Sequence, residues 1–210
     1  MQICTRGLEK FPGSDQFPAR LAATLAITGK YEEAIVMQKR LVAVRADDPD
    51  AYVSLASFNY YAGHYKETVS AATESIRLRD ANPMAYHDLG AAYVKLDRLD
   101  DALKAYRRAL EFKPQYEGSA EVLIEMANLY TSTKRQREAL DAAGQAEQLL
   151  ADTRQRGPAT PTVLERLGDA YNKLDKRDKA VSAWQKALST SADGDGAARL
   201  QSKVNAATGR

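Results

Sequence analysis

Residues 83–116 read PMAYHDLGAAYVKLDRLDDALKAYRRALEFKPQY, and this stretch decides the fold. Tyr86, Leu89, Gly90 and Tyr93 recur at three- and four-residue steps, so they share one face of a helix. Ala102, Leu103, Tyr106, Ala109 and Leu110 do the same on a second helix. Gly90 and Ala102 are small where two backbones must approach. Tyr93 and Tyr106 are large where the gap must be filled. The pattern is a packing code between two antiparallel helices joined by a turn at Leu96-Asp97-Arg98. Asp100 and Asp101 fall in the first turn of the second helix, where the helix dipole favours negative charge. Lys113 and Pro114 end it with a cation and a residue that cannot continue the helix.

One such pair cannot bury both of its apolar faces, so further units are expected. Pro49 and Pro83 lie 34 residues apart and set the period. Residue types, spacing and period together resemble the tetratricopeptide repeat, a helix–turn–helix unit of about 34 residues that stacks into a solenoid. The resemblance implies an all-α fold: a right-handed superhelical α-solenoid, one continuous domain over residues 1–210.

The units follow in order. Residues 1–14 read as the second half of a repeat, with Leu8, Phe11 and Pro12 at its end. That suggests a fragment of a longer protein, so an upstream targeting segment could have been lost. Residues 15–48 carry Leu21, Ala22 and Leu25, then a turn at Gly29-Lys30-Tyr31. Residues 49–82 carry Tyr52, Leu55 and Ala56, then a turn at Gly63-His64-Tyr65. Thr68, Ala72 and Ser75 stand at the places of Ala102, Tyr106 and Ala109. Ala72 is small for its place, so Phe58, Tyr60 or a neighbouring unit must fill the space. After residues 83–116 the period slips by about three residues at Gly118-Ser119. Residues 120–153 resume it with Leu123, Met126, Ala127 and Tyr130. A turn-rich connection, residues 154–160, leads to the fifth unit at 161–194, with Leu164, Leu167, Gly168, Tyr171, Ala180 and Trp184. Residues 197–208 read as a capping helix, with Ala197, Leu200, Val204 and Ala207 toward the array and Arg199, Lys203 and Arg210 toward water.

Composition bounds the function. A hydrophobic fraction of 44% and a charged fraction of 28% fit a globular chain. A net charge of +2 argues against nucleic-acid or membrane surfaces as partners. The basic clusters at 134–137 and 154–156 contain no aromatic residue and read as a turn and a loop. Cys4 is the sole cysteine, which excludes an intrachain disulfide and a multi-cysteine metal site. It mildly favours a reducing, cytoplasmic compartment, with a periplasmic one open if an upstream signal was removed. His64 and His87 form no metal-ligand spacing, and phosphate-binding or nucleophile motifs are missing. Neither an enzyme nor a cofactor is expected.

The resemblance directs attention to a surface instead. In the family the first helices line a concave groove that takes a peptide or helix of a protein partner. The inward places carried over from it here include Ser57, Tyr60, Tyr61, His87, Asp88, Lys95, Ile124, Glu125, Asn128, Arg166 and Asp169. Tyr60 and Tyr61 stand out, because tyrosine offers large contact area at low entropic cost. One branch of the family grips chaperone C-terminal tails with lysines and asparagines. The matching places hold Ala19, Ala23, Ser54, Met84 and Asp88 in one register, and Val53, Ser57, Asp88, Glu121 and Glu125 in the next. Neither supplies the basic pair, so chaperone tails are disfavoured. The expected function is a non-catalytic interaction scaffold; the alternative is a spacer or self-association segment of a longer protein.

Overall fold

Proline and polar caps open the first helices where the pattern places them. Pro49, Pro83 and Pro161 each occupy the first helical position, where the missing N–H leaves nothing unbonded. The residue before each proline caps the helix. Asp48 accepts from the N–H groups of Asp50 and Ala51, Asn82 from Ala85, and Thr160 from Val163. In this computed structural model residues 16–112, 118–151, 159–191 and 194–209 are described. The expected half-repeat at 1–14, Cys4, the Lys113-Pro114 stop and residues 154–158 of the long connection lie outside them.

The chain forms two compact units, residues 1–113 and 114–210. The sequence pattern suggests one continuous array; the boundary lies beside the slip in period. The first unit contains α1 (Gln16–Ile27), α2 (Tyr31–Val44), α3 (Pro49–Ala62), α4 (Tyr65–Leu78), α5 (Pro83–Lys95) and α6 (Leu99–Phe112). The second contains α7 (Ser119–Ser132), α8 (Gln136–Ala151), α9 (Pro161–Lys173), α10 (Arg177–Thr190) and α11 (Gly194–Thr208). No strand occurs among the described residues, and the architecture is all-α. Helices pair as hairpins, and hairpins stack within each unit, the building plan of an α-solenoid. In the first unit α2 packs on α3, α4 on α5, and α3 directly on α5. In the second, α9 packs on α7 and α8, and α11 covers α10.

The five described hairpin turns are built alike. Each contains one residue in the left-handed region: Gly29, Gly63, Asp97, Lys134 and Asp175. The N–H that follows reaches five residues back, Lys30 to Leu25, His64 to Asn59, Arg98 to Tyr93, Arg135 to Tyr130 and Lys176 to Tyr171, at 2.7–3.0 Å. The same residue's carbonyl then accepts the first bond of the second helix.

In the Gly90 and Gly168 hairpins the helices meet at a pair 16 residues apart in the sequence, and the other hairpins bury both residues at the corresponding places. The pairs are Ala22/Gln38, Ala56/Ala72, Gly90/Tyr106, Ala127/Ala143 and Gly168/Trp184. A glycine faces each large aromatic ring. A Cβ at Gly90 would lie 2.5 Å from Tyr106 Cδ1, and one at Gly168 would lie 2.4 Å from Trp184 Cδ1. Where the second member is alanine, the first can carry its own methyl. Beside the Ala56/Ala72 pair, half-buried Phe58 packs against both core clusters of the first unit, which span Leu21, Leu25, Ile35, Leu55 and Leu89. Gln38 donates to the Ala51 carbonyl at 2.8 Å, and Ser75 to the Pro49 carbonyl at 2.9 Å, tying second helices to the next or own hairpin.

Candidate functional site

The faces of the first helices carry the polar and aromatic residues that the pattern marks for recognition, and the two units use them differently.

In the first unit, Ser54, Ser57 and Tyr61 follow each other at helical spacing along α3. His87, Asp88, Ala91 and Lys95 do so on α5. The packing of α3 on α5 brings Ser57 Oγ to Asp88 Oδ2, which accepts its hydrogen bond at 2.6 Å. Asp88 is half-buried, and burial pushes its carboxyl up to about 6, with the Ser57 hydroxyl pulling the other way. No cation among the described residues pairs with it. His87 turns inward, its ring 6.2 Å from that of Tyr106. Lys95 is exposed two turns beyond Asp88.

Tyr61 is 65% exposed, and its ring stacks on Tyr31 at 5.2 Å. Tyr60 meets Tyr61 edge-on at 5.7 Å and Tyr65 at 5.7 Å. Tyr60 is therefore half-buried support for the exposed ring. Tyr31 and Tyr65 open α2 and α4, although the sequence pattern marks both only as turn residues.

In the second unit the polar groups answer one another. Glu125 on α7 pairs with Arg166 on α9. Lys173 Nζ donates to Asn128 Oδ1 at 2.9 Å. Asp169 accepts from Lys203 at 2.6 and 2.8 Å and from the Trp184 indole at 3.0 Å. Glu165, buried on α9, takes both Arg199 and Lys203, and those cations hold its carboxyl down at about 2. Ile124 is a correction: it is fully buried and belongs to the core of α7 rather than to a lining. Arg199 and Lys203 are a second correction. Both reach back to α9 and pair with Glu165; Lys203 is largely covered there, whereas Arg199 also keeps the exposure to water that the pattern gives it. Glu165 is absent from the residues that the pattern singles out, although the signal is there: acids at 165 and 169 meet bases at 199 and 203, one 34-residue period on.

Elsewhere, Tyr171 donates to Glu147 at 2.7 Å beside Lys179, and burial with that carboxylate pushes the phenol up to about 12. A cavity of about 370 Å³ between α8, α9 and α10 is lined by the apolar Leu150, Leu164, Leu167 and Ala183, with Glu147 and Lys186 also in its wall. Among the described residues no cluster of His, Cys, Asp and Glu could hold a metal, and no helix is long and apolar enough to cross a membrane.

Comparison with known proteins places these hairpins. The tetratricopeptide repeat model matches residues 83–116 and again 161–193. A search of the curated proteins finds no match. Among solved structures, a thermophilic tetratricopeptide repeat protein of Thermus thermophilus superposes with a TM-score of 0.75 at 23% identity, over 91% of this chain and 99% of that one. YrrB, described as a repeat protein with an unusual peptide-binding site, gives 0.57 at 19% identity, over 95% and 97%. MamA from Desulfovibrio magneticus gives 0.62 at 18% identity, over 84% and 94%. At these identities the likeness concerns the fold.

Proposed function

The chain belongs to the tetratricopeptide repeat family, and from that premise we propose that it is a non-catalytic scaffold whose first unit docks a peptide or helix of a protein partner. The docking surface is the first-helix face of α3 and α5: Ser57, Tyr61, Asp88 and Lys95. The observation that carries this reading is the contrast between the units. In the first, an exposed tyrosine of α3, held on a second ring, lies one turn from Ser57, which bonds a carboxylate of α5 that has no cation. In the second, Glu125 pairs with Arg166, Asn128 with Lys173, and Asp169 with Lys203 of α11. Tyrosine braced by aromatic neighbours offers area with little entropy to lose on binding. That internal pairing favours a second reading for residues 114–210, a stiffening segment rather than a recognition surface.

A random peptide library displayed against the full chain tests the proposal. Tyr61→Ala should weaken capture of the selected peptides about tenfold or more, the loss typical of an interface anchor. Lys66→Ala, on the exposed side of α4, should leave it unchanged. Equal capture by wild type and Tyr61→Ala would refute the assignment of this face.

A further inference from the structure

Building on that docking proposal, we infer that the occupant of the α3–α5 face presents a lysine or arginine side chain to Asp88, so that the first unit selects cationic peptides. Asp88, Glu125, Glu165 and Asp169 are acids of the first helices that each take a side-chain partner from another helix. Three of them have a cation supplied from within the chain. Arg166 serves Glu125, Arg199 and Lys203 serve Glu165, and Lys203 serves Asp169. In every case the cation comes from the next first helix or from the cap that follows in that place. Asp88 alone receives a neutral hydroxyl, Ser57, from the preceding first helix. A half-buried carboxylate without a counter-charge has lost much of its hydration and gained little in return.

The surroundings tell which charge is missing. Ser57, which bonds Asp88, and Ala91, one turn along α5, are small and uncharged, so they leave room without competing. Lys95 is exposed two turns away on the same helix and makes no pair with Asp88. Ser57 bonds to Oδ2, and Oδ1 accepts no hydrogen bond from a described residue. A primary ammonium or guanidinium arriving from outside would complete the carboxylate as Arg166 completes Glu125. One turn along α3 from Ser57, the exposed ring of Tyr61 offers a flat face on which the methylenes of a lysine or the plane of an arginine can lie. An acidic or neutral peptide would gain nothing at Asp88.

The test is a peptide array in which random dodecamers carry a fixed Lys, Arg, Gln or Glu at each position in turn, probed with the full 210-residue chain. Wild type should prefer a fixed Lys or Arg over Gln at one or two positions. Asp88→Asn keeps the shape of the side chain and an acceptor for Ser57, so it should still bind the array. Its preference for Lys or Arg over Gln should fall about tenfold or more, as expected for removing one partner of a partly buried charge pair. Lys66→Ala, on the exposed side of α4, should keep the preference. Binding with no cation preference, or a preference that survives in Asp88→Asn, overturns this inference while leaving the docking surface standing. A chain that binds no peptide on the array overturns both.

Discussion

At the scale of single residues, the hairpin contact is a size exchange, and it can be measured as one. Gly90→Ala puts a methyl into the Tyr106 ring and should cost about 1–3 kcal/mol by overpacking. In a Tyr106→Ala background the same change recreates the Ala56/Ala72 pair of the preceding hairpin, and its cost should largely vanish. Urea denaturation of the four proteins in that cycle should give a coupling energy of about 1 kcal/mol or more; additive effects would refute the exchange. Tyr106, 1% exposed, is the tyrosine whose truncation should cost about 3–5 kcal/mol. Tyr93, the residue the sequence pattern would choose for such a cost, is half-buried under the Arg98 guanidinium, 4.3 Å from its ring centroid. Asp88 adds a pH signature. Its carboxyl rises from 3.8 to about 6 in the fold, so the folded chain binds more protons than the unfolded one in that window. Its contribution to stability is therefore present below about pH 4 and is lost as pH rises through about 6. Asp88→Asn should remove this slope from a plot of urea midpoint against pH, and an unchanged slope would contradict the assignment.

Turns and the cap carry the account at the scale of elements. Gly29 and Gly63 take the left-handed conformation without strain, whereas Asp97, Lys134 and Asp175 take it with a side chain. Lys134, which lacks the short polar side chain that eases this conformation for Asp, should gain from glycine. Lys134→Gly should stabilise the chain by about 0.5–1 kcal/mol, the left-handed penalty less the added freedom of the unfolded chain. A lower melting temperature would show that the turn tolerates lysine better than its backbone angle implies. At the cap, Arg199 and Lys203 depress Glu165 to about 2, so the unfolded chain binds more protons below about 4.5. That contribution is full above about pH 4.5 and is lost as pH falls through about 2. Protection of α11 amides, relative to exchange of an unfolded chain at the same pH, should fall over that descent, and in Glu165→Gln it should be low already at neutral pH. Protection indifferent to both would mean that Leu200 and Val204 hold α11 alone.

For the whole molecule, most of the fold was legible because packing between helices repeats. The period, the prolines at 49, 83 and 161, and the glycine–aromatic pairs all report local contacts that recur at a fixed offset. Less was legible in the site. A helix face can be read from spacing, but pairing across hairpins depends on which helices touch, and that places Ser57 on Asp88 at an offset of 31 residues and Lys173 on Asn128 at 45. Ile124 shows the same limit, since a position open in one hairpin is covered in another. The tyrosine platform was half visible: Tyr60 and Tyr61 are adjacent in sequence, whereas Tyr31 joins them only through packing of successive hairpins. Where cations and anions fall one period apart, as in 165/199 and 169/203, the pairing could have been read from the sequence by asking of charges what is usually asked of apolar residues.

The central claim, that the first unit holds its partner on α3 and α5, is tested most directly by amide exchange mapped by mass spectrometry. The 210-residue chain would be measured alone and saturated with a library-selected peptide. Protection concentrated in residues 54–61 and 87–95 is the predicted result. Protection confined to the second helices α2, α4 and α6, or to residues 119–208, would contradict it.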